Sequence, residues 1–140
     1  MGCRGVRGAT TVEENNPESI LSRTKELLSW MVISNGIEEE DVAAAFFTAT
    51  PDLNAAFPAA AAREVGWTTV PLLGAQELDV QGAPPKSIRI LILWETDKSQ
   101  EEIRHVYLHG AAGLRPDVQL PEVEQNEIER WIENRTNGGE

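Results

Sequence analysis

Ser87-Ile88-Arg89-Ile90-Leu91-Ile92-Leu93-Trp94 is the stretch on which the fold turns. Its β-branched and aliphatic run, without Gly or Pro, predicts a strand covered on both faces. On a period of two, Arg89 shares a face with Leu91 and Leu93, while Ile88, Ile90, Ile92 and Trp94 take the other. A guanidinium keeps its proton inside a protein, and leaving one buried and unpaired is strongly unfavourable. Either a carboxylate of the fold or an anionic ligand must therefore meet Arg89, and the strand alone leaves both open.

The segments around this strand supply what packs on it. Immediately upstream, residues 82–86 (GAPPK) form a turn, and residues 67–72 and 75–80 predict strands divided near Gly74. Pro58 can open a short helix over residues 59–65. Residues 42–49 are rich enough in alanine for a helix. They are short and apolar on both faces, however, and so predict a strand ending at Thr50-Pro51. Ile20, Leu21, Thr24, Leu27, Leu28 and Met31 follow the three-and-four spacing of an amphipathic helix, with Asn16 as cap, Pro17 at its first position and Asn35-Gly36 as its stop. Residues 2–12 predict a first strand loosened by Gly2, Gly5 and Gly8, with Arg4 and Arg7 on opposite faces. Downstream, residues 103–108 alternate as a strand. Beyond Leu120, Val123, Ile128, Trp131 and Ile132 stand among acids and predict a short amphipathic helix with a frayed end at residues 137–140.

About five strands in a mixed sheet with two or three covering helices make an α+β or pseudo-barrel domain. Residues 1–120 form that domain, and residues 121–140 form an acidic, partly helical tail. Open sheet edges in so small a domain favour a closed oligomer.

The 12 Lys and Arg stand against 23 Asp and Glu, a formal net charge of −11, which argues against nucleic acid or an anionic membrane as partner. Residues 116–140 hold 7 acidic and 2 basic side chains. The lone Cys3 excludes an internal disulfide and suits a reducing compartment. No apolar run reaches membrane-spanning length, and the N-terminus lacks the apolar core of a signal peptide. Met1-Gly2-Cys3 hints at lipidation, but Val6 stands where that pattern requires Ser or Thr. A cytoplasmic protein is expected.

Chemistry by nucleophile, metal or nucleotide finds little support. His105 and His109 bracket a strand and a turn, where a spacing of four does not align them, so no metal site is expected. The glycine pairs near the N-terminus open no helix and precede no Walker lysine. What remains is Arg7, Arg63, Arg89 and Arg115 near glycines and apolar residues, with Glu77 and Tyr107 in comparable strand contexts. Each alone has an ordinary structural explanation: Glu77 could simply neutralise Arg89, and Tyr107 could be a core residue. Together they suit a small dianion bearing a hydroxyl, because arginines clamp carboxylates, tyrosine adds a donor, and one carboxylate accepts from a hydroxyl.

RGVRGATTVE at residues 4–13, TATPDLNAAFPAAAARE at 48–64, QELDV at 76–80, IRHVYL at 103–108 and LRPD at 114–117 closely resemble the monofunctional chorismate mutases of the trimeric class. The resemblance runs in order from about Cys3 to Asp117. It implies a pseudo-α/β-barrel homotrimer with active sites between subunits, which takes chorismate to prephenate in aromatic amino acid biosynthesis without cofactor or metal. Carried over by position, Arg89 matches the arginine that meets the ether oxygen of the breaking bond. Arg7 and Tyr107 match residues binding substrate carboxylate, and Glu77 matches the carboxylate that accepts from the ring hydroxyl. Phe57 and Arg63 match residues supplied by the adjacent subunit, Leu73 and Gly74 join the substrate-binding set, and Arg115 matches an arginine on the mobile C-terminal segment. Ala60 stands where some relatives carry lysine, and Gly74 where some carry cysteine. The tail past about Leu120 is dissimilar.

A [3,3] rearrangement needs no nucleophile, metal or general acid. The C–O bond breaks ahead of C–C formation, so a fixed guanidinium at the ether oxygen stabilises the transition state more than the ground state. A millionfold acceleration requires about 8 kcal/mol, which charge at Arg89 and substrate positioning would share. The competing expectation is a trimer resembling the reactive-intermediate deaminases, or a noncatalytic binder of small carboxylates. A further alternative makes the acidic tail a protein-docking element, against the plainer one of a packing helix.

Overall fold

The structure, a computed structural model, describes residues 2–137. In chain order it contains β1 (Gly2–Thr11), α1 (Pro17–Asn35), β2 (Val42–Ala49), α2 (Ala59–Glu64), β3 (Leu72–Gln76), β4 (Ser87–Thr96), β5 (Val106–Tyr107) and α3 (Gln125–Asn137). Short 3-10 turns lie at Glu39–Asp41, Gln100–Glu102 and His109–Leu114. The strands form one mixed sheet in the order β3-β2-β4-β1-β5, with β4 at its centre. β4 runs antiparallel to both β1 and β2, while β3 and β5 add in parallel at the two edges.

One face of β4 behaves as the pattern requires. Ile90, Ile92 and Trp94 are buried in a cluster with Val6 of β1, Phe47 of β2, and Leu27, Leu28 and Met31 of α1. Each such aliphatic side chain contributes about 1.5–3 kcal/mol by leaving water. The helix that supplies them is closed at both ends. Asn16 Oδ1 accepts from the Ser19 N–H at 2.8 Å, and Gly36, at φ +72°, turns its N–H back to Val32 O at 2.9 Å. Gly8 lets α1 lie tightly on β1, because an added Cβ would collide with Met31 Sδ and lie 3.0 Å from Leu27 Cδ1. Gly8→Ala is therefore expected to cost about 1–3 kcal/mol through overpacking, read as a lower urea midpoint at unchanged m-value.

The other face corrects an expectation. β4 is not covered on both sides within the chain: Leu91 is exposed, Arg89 and Leu93 are half-buried, and Gly5 and Arg7 beside them are exposed. The strands expected at residues 67–72 and 75–80 are replaced by one, β3, which runs through Gly74 and pairs with residues 45–49 of β2. β3 stops at Gln76 because β2 offers no partner beyond Ala49, and Leu78 is left 82 % exposed. Trp67 and Val70 are buried core anchors outside any strand. The strand expected over residues 103–108 shrinks to Val106–Tyr107. Upstream of it, Asn35 Oδ1 takes the Arg104 N–H at 2.8 Å, and the His105 ring takes the Arg7 N–H. Side chains thus satisfy groups that a longer ladder would have used.

The tail expectation holds in part. α3 lies on α1, with Ile128 fully buried and Val123, Trp131 and Ile132 packed against the main core. The frayed end expected at residues 137–140 falls almost wholly outside the described residues. Among the described residues, no helix is long and apolar enough to cross a membrane.

Candidate active site

Strand register gathers the site on the open face. Arg7 pairs with Leu91 and Ala9 with Arg89 across β1 and β4; Phe46 pairs with Leu91 and Thr48 with Arg89 across β2 and β4. Residues directly opposed in a ladder present side chains to the same face. Tyr107 of β5 joins them beside Ala9. Arg7, Phe46, Thr48, Glu77, Arg89, Leu91 and Tyr107 consequently line one cavity of about 250 Å³.

Glu77 follows the end of β3, and its N–H donates to Ala49 O at 2.9 Å, which keeps it alongside β2. Its carboxylate accepts from the Thr48 hydroxyl and lies 3.5 Å from Arg89 Nε. Glu77 is thus the carboxylate of the fold that Arg89 demanded. The pair is not sealed, however: the Arg89 side chain is 43 % exposed and that of Glu77 19 %. A pair so open to solvent contributes only about 0–1 kcal/mol to stability. Its placement matters more for what it presents to the cavity than for holding the sheet together.

Tyr107 is buried against Ala9 and Ala111, with Leu114 and Val118 around them. Arg115 donates Nε at 3.0 Å and Nη2 at 2.8 Å to the two carboxylate oxygens of Asp117. Those hydrogen bonds, then the opposite charge, raise the Arg115 pKa, and Tyr107 acts in the same direction. The same guanidinium lowers the Asp117 pKa. His105 Nδ1 accepts the Arg7 backbone N–H at 3.0 Å. Burial, followed by the charges of Arg7 and Arg115, holds its pKa below the usual histidine value. His109 has different partners, Glu26 at 2.8 Å and Arg23 at 2.9 Å. Among the described residues, no three His, Cys, Asp or Glu side chains gather as metal ligands.

Arg7, Glu77, Arg89 and Tyr107 are therefore brought together. Arg115 stands at the margin through Tyr107. Phe57, 80 % exposed, and Gly74 line a separate cavity of about 560 Å³ beside the 50–58 loop. Arg63 is exposed in the last turn of α2, and Leu73 is exposed on the edge strand; neither lines the arginine cavity. Phe46 and Thr48 were not singled out from sequence, and His105 was weighed there only as a metal ligand. The first two lie on one period-two face of β2, but only the register between β2 and β4 sets them opposite Leu91 and Arg89.

A small α+β protein that holds one carboxylate and several guanidiniums on an open sheet face has the site of an enzyme acting on a carboxylated small molecule through fixed charge. The family model for chorismate mutase type I matches residues 3–118. The chorismate mutase AroH of Thermus thermophilus is 54 % identical over 117 residues, covering 83 % of this chain and 96 % of that protein. That of Bacillus subtilis strain 168 is 49 % identical over 121 residues, covering 86 % and 95 %. A solved chorismate mutase from Clostridium thermocellum superposes with a TM-score of 0.77 at 46 % identity, covering 79 % of this chain and 98 % of that one. The chain belongs to the chorismate mutase type I family, and its activity is that of a chorismate mutase, an isomerase.

Proposed function

We propose that Arg89, Glu77 and Arg7 carry the rearrangement of chorismate to prephenate in a cleft that a neighbouring copy completes. The observation that supports the residue roles is the Thr48–Glu77–Arg89 arrangement beside Arg7 and Tyr107. Thr48 and Arg89 hold the Glu77 carboxylate in place to accept from the ring hydroxyl. Arg89 lines the cavity, and its guanidinium meets the ether oxygen there as that oxygen gains charge and its bond to carbon breaks. Arg7 and Tyr107 take a substrate carboxylate and hold the enolpyruvyl arm over the ring. Arg115, which donates to Asp117, exchanges that partner for substrate. Loss of chorismate absorbance with purified protein, and formation of prephenate, test the reaction directly; no turnover by a correctly assembled protein would overturn the proposal.

We place residues 1–120 as the catalytic domain, residues 121–140 as a tail whose helix α3 docks on it, and the enzyme in the cytoplasm, where unpaired Cys3 suits a reducing environment. The assembly is a homotrimer. Support comes from exposed Phe57, Leu73, Leu78 and Val80 along the β3 edge and its flanking loops, an apolar surface that a second copy would cover. The neighbour then brings Phe57 and Arg63 to a site they do not reach within their own chain. Arg89→Ala and Arg63→Ala proteins, each poorly active alone, are expected to regain activity when unfolded together and reassembled. Mixed trimers would contain some interfaces with both arginines intact. No gain over the separate proteins would count against sites shared between subunits.

A further inference from the structure

The parallel ladder between β1 and β5 has only two residue pairs, Gly8 with Val106 and Ala9 with Tyr107. One residue earlier, the Arg7 N–H finds a side chain instead of a carbonyl: His105 Nδ1, at 3.0 Å. A backbone N–H can only donate, so Nδ1 carries the lone pair and the ring proton sits on Nε2. The ring faces Arg7 from β1 and Arg115 from the segment after the third 3-10 turn. Arg104 of its own segment and Glu122 of the tail line the same groove.

We infer that His105 is a positioning residue for the reaction: as a neutral imidazole it anchors the Arg7 amide, and so fixes where β1 delivers the Arg7 guanidinium to the cavity. The inference rests on the assignment of Arg7 to substrate made above. Protonation would turn Nδ1 into a donor facing a donor and place another cation beside Arg7 and Arg115. It would also loosen the short β1–β5 pairing that seats Tyr107, two residues along the chain. Burial and the two arginines already oppose that protonation. Because the folded pKa is lowered, the anchor is fully present above the ordinary histidine value of about 6.5 and is lost as pH falls through the lowered one. Substrate carboxylates stay ionised across this window, since their ordinary pKa lies near about 4.

The test compares kcat and KM against pH for the full-length protein, His105→Asn and His105→Ala, alongside a ring-proton NMR titration. The chain has two histidines, and the signal absent from His105→Asn identifies the relevant one. Wild type is expected to show an acid limb in kcat/KM whose inflection matches the NMR pKa of His105, below about 6.5. His105→Ala is expected to raise KM about tenfold with a smaller change in kcat, the signature of weakened substrate binding. His105→Asn, whose Oδ1 can accept the same N–H without titrating, is expected to recover most of that loss and to lack the limb. An unchanged limb in His105→Asn, or a wild-type KM in His105→Ala, would overturn the inference and leave the proposed function standing. Absence of wild-type turnover at neutral pH would instead overturn the function, and the inference with it.

Discussion

Arg89→Ala is expected to lower kcat at least about 10³-fold while leaving the protein folded and assembled. The two halves of that expectation have separate causes. Arg89 is half-exposed, and the Glu77 carboxylate lies 3.5 Å away, so its loss removes about 1 kcal/mol or less of folding stability. Glu77 still accepts from the Thr48 hydroxyl and is not left without a donor. Catalytically the balance is reversed. The charge on the ether oxygen exists only as the bond breaks, so a guanidinium aimed there lowers the barrier without tightening ground-state binding by the same amount. The loss should consequently appear mainly in kcat. Arg89→Lys is expected to restore little of it, because an ammonium is a point charge and cannot engage Glu77 and the substrate along two edges of one plane. Chorismate turnover, with circular dichroism and sedimentation on the same preparation, separates the outcomes. Near-normal turnover in the folded Arg89→Ala protein would remove Arg89 from the centre of the mechanism.

Residues 87–94 revealed as much as they did because a charge in a continuous apolar strand has few physical explanations. Periodicity put Arg89 and Leu91 on one face, and the ladder pairs confirm it. The alanine-rich residues 42–49 proved to be a strand against their helix propensity, since pairing with β4 and β3 on both sides outweighs a few tenths of a kcal/mol per alanine, about the size of intrinsic preferences. Strand ends were less legible. Leu78 and Val80 have strand-forming side chains, but β3 ends where β2 runs out of partners, a fact of register that no local pattern carries. Thr48 was hidden for the same reason. Its hydroxyl matters because it stands opposite Arg89 and within reach of Glu77, 29 positions on in the chain. Phe57 and Arg63 mark a different boundary: the resemblance named them, yet a single chain holds them away from the arginine cavity.

The tail offers the second large effect. Ile128→Asp is expected to release α3 from α1 and to weaken substrate binding, although Ile128 does not line the cavity. Ile128 is fully buried, and its burial contributes about 1.5–3 kcal/mol. A carboxylate left there without a partner would cost about 3–5 kcal/mol. Trp131 and Ile132 of α3, and Val123 just before it, are only partly buried against the core, too little to offset that cost. Undocked, a 13-residue helix is marginal in water and would melt, so the penalty is relieved by local release and global unfolding is avoided. The fall in overall stability is then capped at what α3 contributes, and hydrogen exchange should show protection lost in α3 and on the face of α1 beneath it. Release also matters for the site, because residues 115–124 connect Arg115 to α3 and lie between two fixed points only while α3 is docked. With that end loose, Arg115 pays more conformational entropy to close on substrate. KM for chorismate should rise several-fold, with kcat changed less, and truncation after Leu120 should reproduce both numbers. A truncated protein with wild-type KM would show that α3 only packs. A KM increase shared by the truncation and Ile128→Asp would make the docked helix part of how this enzyme holds its substrate.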